Sequence, residues 1–202
     1  MEFLGNLLKL VAWGKLGDLH PRTQGDEPKR VARAFEKFAA NGFYFPRLII
    51  PIDRAKPFSS HTFIGVGWGI QEQETRSLKL AEVDLTDVHL KTVFDTRPGA
   101  RMSCATHLLR LRKTTDVQLD AKVFQMLWEN PALIPERWKE KTNGKITLVF
   151  FEGTTILRHS NNDQYVLFLF WDGGAWKWNV YWLGDEWRDN HFSAVVEGDI
   201  AA

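Results

Sequence analysis

The chain has 202 residues, 44% hydrophobic and 25% charged, ordinary globular usage that excludes wholesale disorder and predicts one domain with at most an appendage. Its 26 basic and 25 acidic residues leave a formal net charge of +1, which excludes a global field drawing it onto nucleic acid or an anionic membrane; such binding needs a local patch. The anomaly is aromatic: nine Trp and 14 Phe against three Tyr, with Trp171, Trp176, Trp178, Trp182 and Trp187 crowded together.

Phe3, Leu4, Leu7, Leu8 and Val11 recur at the spacing of one helix face, so residues 1–13 are expected to form an amphipathic helix. It is expected to dock on the protein's own body or to join two copies as a homo-oligomer, since Lys9 alone is too little positive charge for a membrane-surface helix. Glu2 replaces a basic n-region, so no signal peptide is expected, and no apolar run reaches the roughly 18–20 residues of a transmembrane segment. A single cysteine, Cys104, makes no intramolecular disulfide, and a cytoplasmic location is expected.

Residues 14–27 are polar and glycine-rich and are expected to be a linker. A second helix is expected to follow, with Asp26 as cap, Pro28 in the first turn and Asn41-Gly42 as stop; Val31, Ala34, Phe35, Phe38 and Ala39 form its apolar face. The domain organisation expected is therefore a helical extension with linker over 1–42 and an α+β domain over 43–202, built on antiparallel sheet with one or two packed helices.

Within that domain, Phe45-Pro46 and Ile50-Pro51 bracket an extended piece barred from a sheet interior. His61–Ile70 reads as a strand in which Gly65, Gly67 and Gly69 leave one face bare for close packing; it lacks the third glycine of a dinucleotide fingerprint. Leu78 to Phe94 alternates through Leu85-Thr86-Asp87-Val88 as two short strands or one bent strand. Arg97-Pro98-Gly99 reads as a turn, and Leu108–Lys113 as a strand presenting Arg110 and Arg112 on one face. Asp120–Glu129 reads as a helix with Val123, Phe124, Leu127 and Trp128 inward, ended by Pro131, with a short turn at Arg137-Trp138-Lys139.

Four strands are expected at the end: Ile146–Phe151, Thr154–His159, Gln164–Trp171 and Trp176–Leu183, forming an antiparallel meander with Glu152-Gly153 as its first turn. With Gly173-Gly174 at the tip of the last hairpin, Trp171 faces Trp176, Leu169 faces Trp178, Leu167 faces Val180 and Tyr165 faces Trp182. The opposite face carries Val166, Phe168 and Phe170 against Tyr181, Asn179 and Lys177, a mixture suited to partial cover or to a wet, ligand-facing surface. Residues 184–191 read as an acidic loop, and Phe192–Val196 as a closing segment.

The motifs Gly67-Trp68-Gly69-Ile70, Ala81-Glu82-Val83-Asp84-Leu85-Thr86, Leu119-Asp120-Ala121-Lys122-Val123-Phe124, Leu127-Trp128-Glu129-Asn130, Leu133-Ile134-Pro135-Glu136-Arg137-Trp138-Lys139, Phe151-Glu152-Gly153-Thr154 and Trp176-Lys177-Trp178-Asn179, with Trp182-Leu183 and Ser193-Ala194-Val195, occur in one order. Over residues 62–200 this pattern resembles a family of short uncharacterised proteins from uncultured, small-genome bacteria. The resemblance implies a family label but no activity, substrate or cofactor. Its members are acidic where this chain has Ser103-Cys104-Ala105-Thr106-His107.

For function, the Trp-rich hairpin leads, because aromatic faces stack on sugars, bases or peptide prolines while Asn or Asp fixes orientation. The candidate ligand-binding residues are Trp187, Trp178, Trp176, Asp185, Asp189 and Asn179, with Trp187 expected to be the exposed tryptophan and the others of the hairpin largely core. The partner expected is a protein, peptide or glycan. A hydrolase or carbohydrate-active enzyme using the acidic loop 185–189 is the alternative, drawing its two carboxylates from Glu152, Asp163, Asp172, Asp185 and Asp189. A third reading is nucleic-acid binding through Arg110, Arg112 and Lys113 in the basic strand 108–113. Cys104 and His107 are half a zinc site without a second pair of ligands, and Cys104 is expected to be buried and inert. No cofactor is expected, as there is no phosphate loop or nucleophile elbow.

Overall fold

A computed structural model describes residues 47–93 and 102–198. The expected helices at 1–13 and 28–41, the linker between them, the 42/43 boundary and the turn at Arg97-Pro98-Gly99 lie outside the described residues. Over the described residues the protein is α+β and mostly sheet.

Strand β1 (Ile49–Pro51) pairs antiparallel with β3 (Glu82–Asp84) in a two-stranded ribbon. The placement suits Pro51, which has no ladder donor and stays out of the large sheet. Between them, the expected strand from His61 begins instead as helix α1 (Ser60–Phe63), because Ser59 accepts a cap hydrogen bond from Thr62 N–H. Gly65 and Gly67 then take φ of +135° and +89°, a left-handed turn, and β2 runs only over Trp68–Gln73. Close packing holds at Gly69, where an added Cβ would lie 2.6 Å from His159 Nε2.

Helix α2 (Thr75–Leu78) precedes β3, and β4 (His89–Lys91) follows it. The two-short-strand alternative is the one realised: Asp84 Oδ1 accepts from the N–H and hydroxyl of Thr86, closing a turn between them.

The segment expected as a basic strand is helix α3 (Cys104–Leu111). Ser103 caps it, accepting from Thr106 N–H, and Cys104, His107, Leu108 and Leu111 fall at i, i+3, i+4 and i+7 and are all buried. The Leu-Arg alternation from Leu109 to Arg112 is a local coincidence on a longer 3.6-residue period.

After β5 (Val117–Gln118), helix α4 (Ala121–Glu129) forms as expected. Asp120 accepts from the N–H groups of Lys122 and Val123, and its other oxygen lies 2.6 Å from Arg54 Nη1. Two 3-10 turns, Pro131–Leu133 and Glu136–Lys139, bury Trp138.

Strand β6 (Leu148–Arg158) is continuous where two strands were expected. Its ladder with β7 (Asp163–Asp172) shifts register between Phe151 and Ile156, so Glu152-Gly153 is a bulge within one strand and no turn. The glycine serves a close approach: a Cβ on Gly153 would lie 2.4 Å from the Gln118 carbonyl oxygen. Gly153 N–H donates to Leu119 C=O at 3.0 Å, and its own carbonyl accepts from Glu74 N–H at 2.8 Å.

The hairpin of β7 with β8 (Ala175–Trp182) has the expected register throughout, from Tyr165↔Trp182 to Trp171↔Trp176. Gly173 and Gly174, at φ +63° and +85°, form its tip. Strand β9 (His191–Val196) adds parallel to β6, giving the order β4-β9-β6-β7-β8, with β2 on β6 and β5 on β9. On one face Val149, Phe151, Leu167 and Leu169 join Val123, Phe124 and Leu127 of α4 in the larger core. Each fully buried Phe or Leu there contributes about 1.5–3 kcal/mol. On the other face Phe150, Val166 and Phe168 pack with Cys104 and Leu108 of α3 and with Trp187.

Candidate functional site

The hairpin tryptophans divide by position along β8. Trp176 is buried, and Trp178 is half-buried with Phe63 at 4.9 Å, Phe124 at 6.0 Å and Trp128 at 6.4 Å between ring centroids. Trp171 is half-buried against Trp176, under the Lys139 ammonium at 4.2 Å. Trp182 is 43% exposed.

Trp187 reverses the expectation of exposure: it is 1% exposed. Its indole N–H donates to Thr92 Oγ1 at 2.9 Å, its backbone N–H donates to Met102 C=O at 2.7 Å, and its ring stacks on His107 at 3.5 Å and 8°. The charged neighbours in the sequence stay at the surface while the indole closes over the sheet, as its satisfied N–H permits.

The candidate ligand residues are not brought together. Trp176 and Trp178 face the α4 side of the sheet, while Asn179 and Trp187 belong to the α3 side. Asp189 lies 2.8 Å from Lys145 Nζ and also accepts from Asn143, and these bonds hold its carboxyl below the usual range. Asp185 is exposed, and its carbonyl accepts from Cys104 N–H. Among the described residues no group of three His, Cys, Asp or Glu side chains is placed to hold a metal ion.

Arg110, Arg112 and Lys113 sit at the end of α3 and just past it, so Arg110 and Arg112 do not share a strand face. Arg112 Nη1 lies 3.0 and 2.9 Å from the two Glu72 oxygens, while Arg110 and Lys113 are exposed. A depression of about 390 Å³ is lined by Thr86, Val88, His89, Leu90, Arg137 and Glu140, and Arg137 there donates to the carbonyls of Leu85 and Val88.

A grouping that the sequence reading did not assemble lies under α3. Glu152, at the β6 bulge, is fully buried with His107, Cys104 and Ser193, each 0% exposed. Val93 N–H donates to His107 Nε2 at 3.3 Å, which leaves the ring proton on Nδ1, 3.3 Å from the Glu152 carboxylate. Ser193 Oγ donates to the other Glu152 oxygen, and the Cys104 thiol lies 3.9 Å from the first. Burial first, then the charges of Glu152 and Asp185, push the thiol far above its ordinary value, which disfavours the thiolate. Nearby His191 is held down at about 4 by burial and by Arg188, and its Nδ1 accepts from Arg188 N–H at 3.2 Å.

Chemically, the grouping gathers an imidazole, a hydroxyl and a thiol around the carboxyl group of Glu152, with a stacked indole over the imidazole, and it ties α3, β6 and β9 together. The sequence signalled part of it, the helical spacing of Cys104 and His107; the approach of Glu152 and Ser193 is set by topology. No helix of the described residues is long and apolar enough to cross a membrane. Comparison of the chain with protein-family models, curated proteins and solved structures finds no match.

Proposed function

We propose that the chain is a non-catalytic interaction module whose contact surface is the outer strand of the aromatic hairpin, β8, anchored by Trp182. The observation that carries this reading is the 43% exposure of Trp182 on the last strand in the sheet order. A large aromatic side chain half in water beside an outer strand is the kind of residue that anchors an interface. The acid–base grouping of His107, Glu152, Ser193 and Cys104 is closed to a substrate in this conformation, each member being 0% exposed. The hydrolase reading through residues 185–189 finds less support, since Asp189 is held by Lys145, and the nucleic-acid reading loses Arg112 to Glu72.

The partner class is a protein, an extended peptide or a glycan, and the resemblance over residues 62–200 adds no chemistry to this. A cytoplasmic location belongs to the same proposal, because a fold with a single buried thiol needs no oxidising compartment. The test is capture on arrays of extended peptides and oligosaccharides, comparing the full chain with Trp182→Ala. Capture by the wild type that weakens about tenfold or more in the variant, at unchanged melting temperature, is expected. Capture that ignores the substitution contradicts the reading.

A further inference from the structure

Among the described residues, strand β8 pairs with β7 on one side and with no strand on the other. Leu183 N–H donates to Gln164 C=O at 2.9 Å, in step with the Tyr165↔Trp182 register, so the odd-numbered residues of β8 bond to β7. By the alternation of an antiparallel ladder, the N–H and C=O groups of Trp176, Trp178, Val180 and Trp182 point away from it. Two of these groups are engaged locally: Val180 N–H donates to Asn179 Oδ1 at 2.8 Å, and Trp182 C=O accepts from Asp185 N–H at 3.0 Å. The side chain of Asn179 thus holds the centre of the edge, in the way exposed strands are guarded against pairing.

We propose that the partner of this edge is a second copy of the same strand, paired antiparallel about a two-fold axis at Asn179. This rests on the interaction reading above and names its partner. In that register Trp178 lies opposite the second copy's Val180, Trp176 opposite its Trp182, Lys177 opposite its Tyr181, and Asn179 opposite itself. Apolar side chains meet apolar ones on the α4 side, and polar or amphipathic ones meet on the other. No like charges oppose each other: Lys177, the sole charged residue of β8, lies across from a tyrosine and is already paired with Asp172 at 2.7 Å. The pairing is self-complementary, as a two-fold interface requires, and it covers the exposed Trp182. Asn179 sets its strength, because Val180 N–H must leave the Asn179 carboxamide to reach the second copy's Trp178 carbonyl.

Sedimentation velocity of the full chain over a wide concentration range tests this. The wild type is expected to show a concentration-dependent monomer–dimer equilibrium. Asn179→Val, which frees the Val180 N–H, is expected to tighten it about tenfold. Val180→Pro removes a donor on the open side without touching the β7 ladder, and is expected to weaken it about 10–100-fold with an unchanged circular dichroism spectrum. Should Val180→Pro fail to fold, Trp182→Asp gives the same readout by placing a carboxylate against the electron-rich face of the second copy's Trp176. Monomer throughout in both wild type and Asn179→Val overturns the proposal, as does a dimer indifferent to Val180→Pro and Trp182→Asp. A monomeric chain that still captures peptides or glycans through Trp182 overturns the second-copy partner and leaves the interaction reading standing; loss of both overturns both.

Discussion

On one face of the main sheet, Val149, Phe151, Leu167 and Leu169 meet Val123, Phe124 and Leu127 of α4, an apolar cluster whose buried polar neighbours, Asp120 and Thr154, sit at the α4 N-terminus and bond to its N–H groups. On the other, Phe150, Val166 and Phe168 meet α3 and Trp187, and a carboxylate, an imidazole, a hydroxyl and a thiol are buried beside them. The first face is held by area, which is tolerant of detail. The second is held partly by donors and acceptors that must each find a partner, so small chemical changes there carry large penalties. The contrast separates what holds the protein together from what it presents: among the described residues both faces bury their centres, while Trp182 of β8 stands 43% exposed.

Substitutions that remove area from the α4 face mark the largest expected effect. Phe124→Ala is expected to destabilise by about 3–5 kcal/mol in denaturant unfolding, because Phe124 is fully buried among Phe63, Phe151 and Trp178. Gly153→Ala sharpens the comparison from the backbone side. The added methyl meets the Gln118 and Leu119 carbonyls, and a loss of ~3 kcal/mol is expected, read by the same unfolding curves. A loss under about 1 kcal/mol there would mean that Gly153 does not approach the Gln118 carbonyl as closely as described.

Glu152→Gln keeps the shape of the α3-side grouping and removes two of its acceptor sites. Its amide then faces Ser193 or His107 with a donor, and ~2–3 kcal/mol is expected. Stability against pH reads the same face through His191. Its folded-state value near 4 lies below the ordinary 6.5, so the unfolded chain binds the proton more readily. Stability is therefore full above about pH 6.5 and falls as pH drops toward 4, by about 3 kcal/mol at most. Arg188, Asp189, His107 and Lys145 are the charged or titratable neighbours that set this value. His191→Phe should flatten that limb. The carboxyls of Asp84, Asp116, Asp172 and Asp189, all held below 3.8, contribute stability that is lost only at more acid pH. The smallest effect expected is Arg112→Ala, about 0.2–1 kcal/mol and fading with added salt, since the Glu72 pair is largely solvated.

The parts legible in the sequence are those governed by one local rule. The β7–β8 register follows from strict alternation and a Gly-Gly tip, and α4 follows from a capping Asp120, a 3.6-residue stripe and Pro131. The misreadings arise where two rules compete within a few residues. Leu109 to Arg112 alternates like a strand, but Cys104, His107, Leu108 and Leu111 form a helical stripe that only the longer window reveals. Gly153 resembles a turn glycine because its reason for being glycine, the Gln118 carbonyl, lies 35 positions away in the chain. Gly65 and Gly67 resemble spaced strand glycines because a positive φ leaves no mark on composition.

The site fared differently from the fold. Trp187 sits among Asp185, Glu186, Arg188 and Asp189, and a polar neighbourhood in sequence says nothing about the Thr92 hydroxyl and His107 ring that receive the indole. The grouping at Glu152 joins residues 107, 152 and 193 from three elements, a juxtaposition set by topology alone. Trp182, by contrast, was placed opposite Tyr165 by the register, and only its exposure awaited the three-dimensional structure.

The most direct test of the account is iodide quenching of tryptophan fluorescence in the full chain, diluted until it sediments as a monomer, comparing wild type with Trp182→Phe and Trp187→Phe. Removal of Trp182 should abolish a large part of the quenchable emission, and removal of Trp187 should leave the quenchable part intact, because one indole is 43% exposed and the other is buried and stacked on the His107 ring. If Trp187→Phe removes the quenchable emission and Trp182→Phe does not, the assignment of the open margin to β8 and of the closed face to α3 is contradicted.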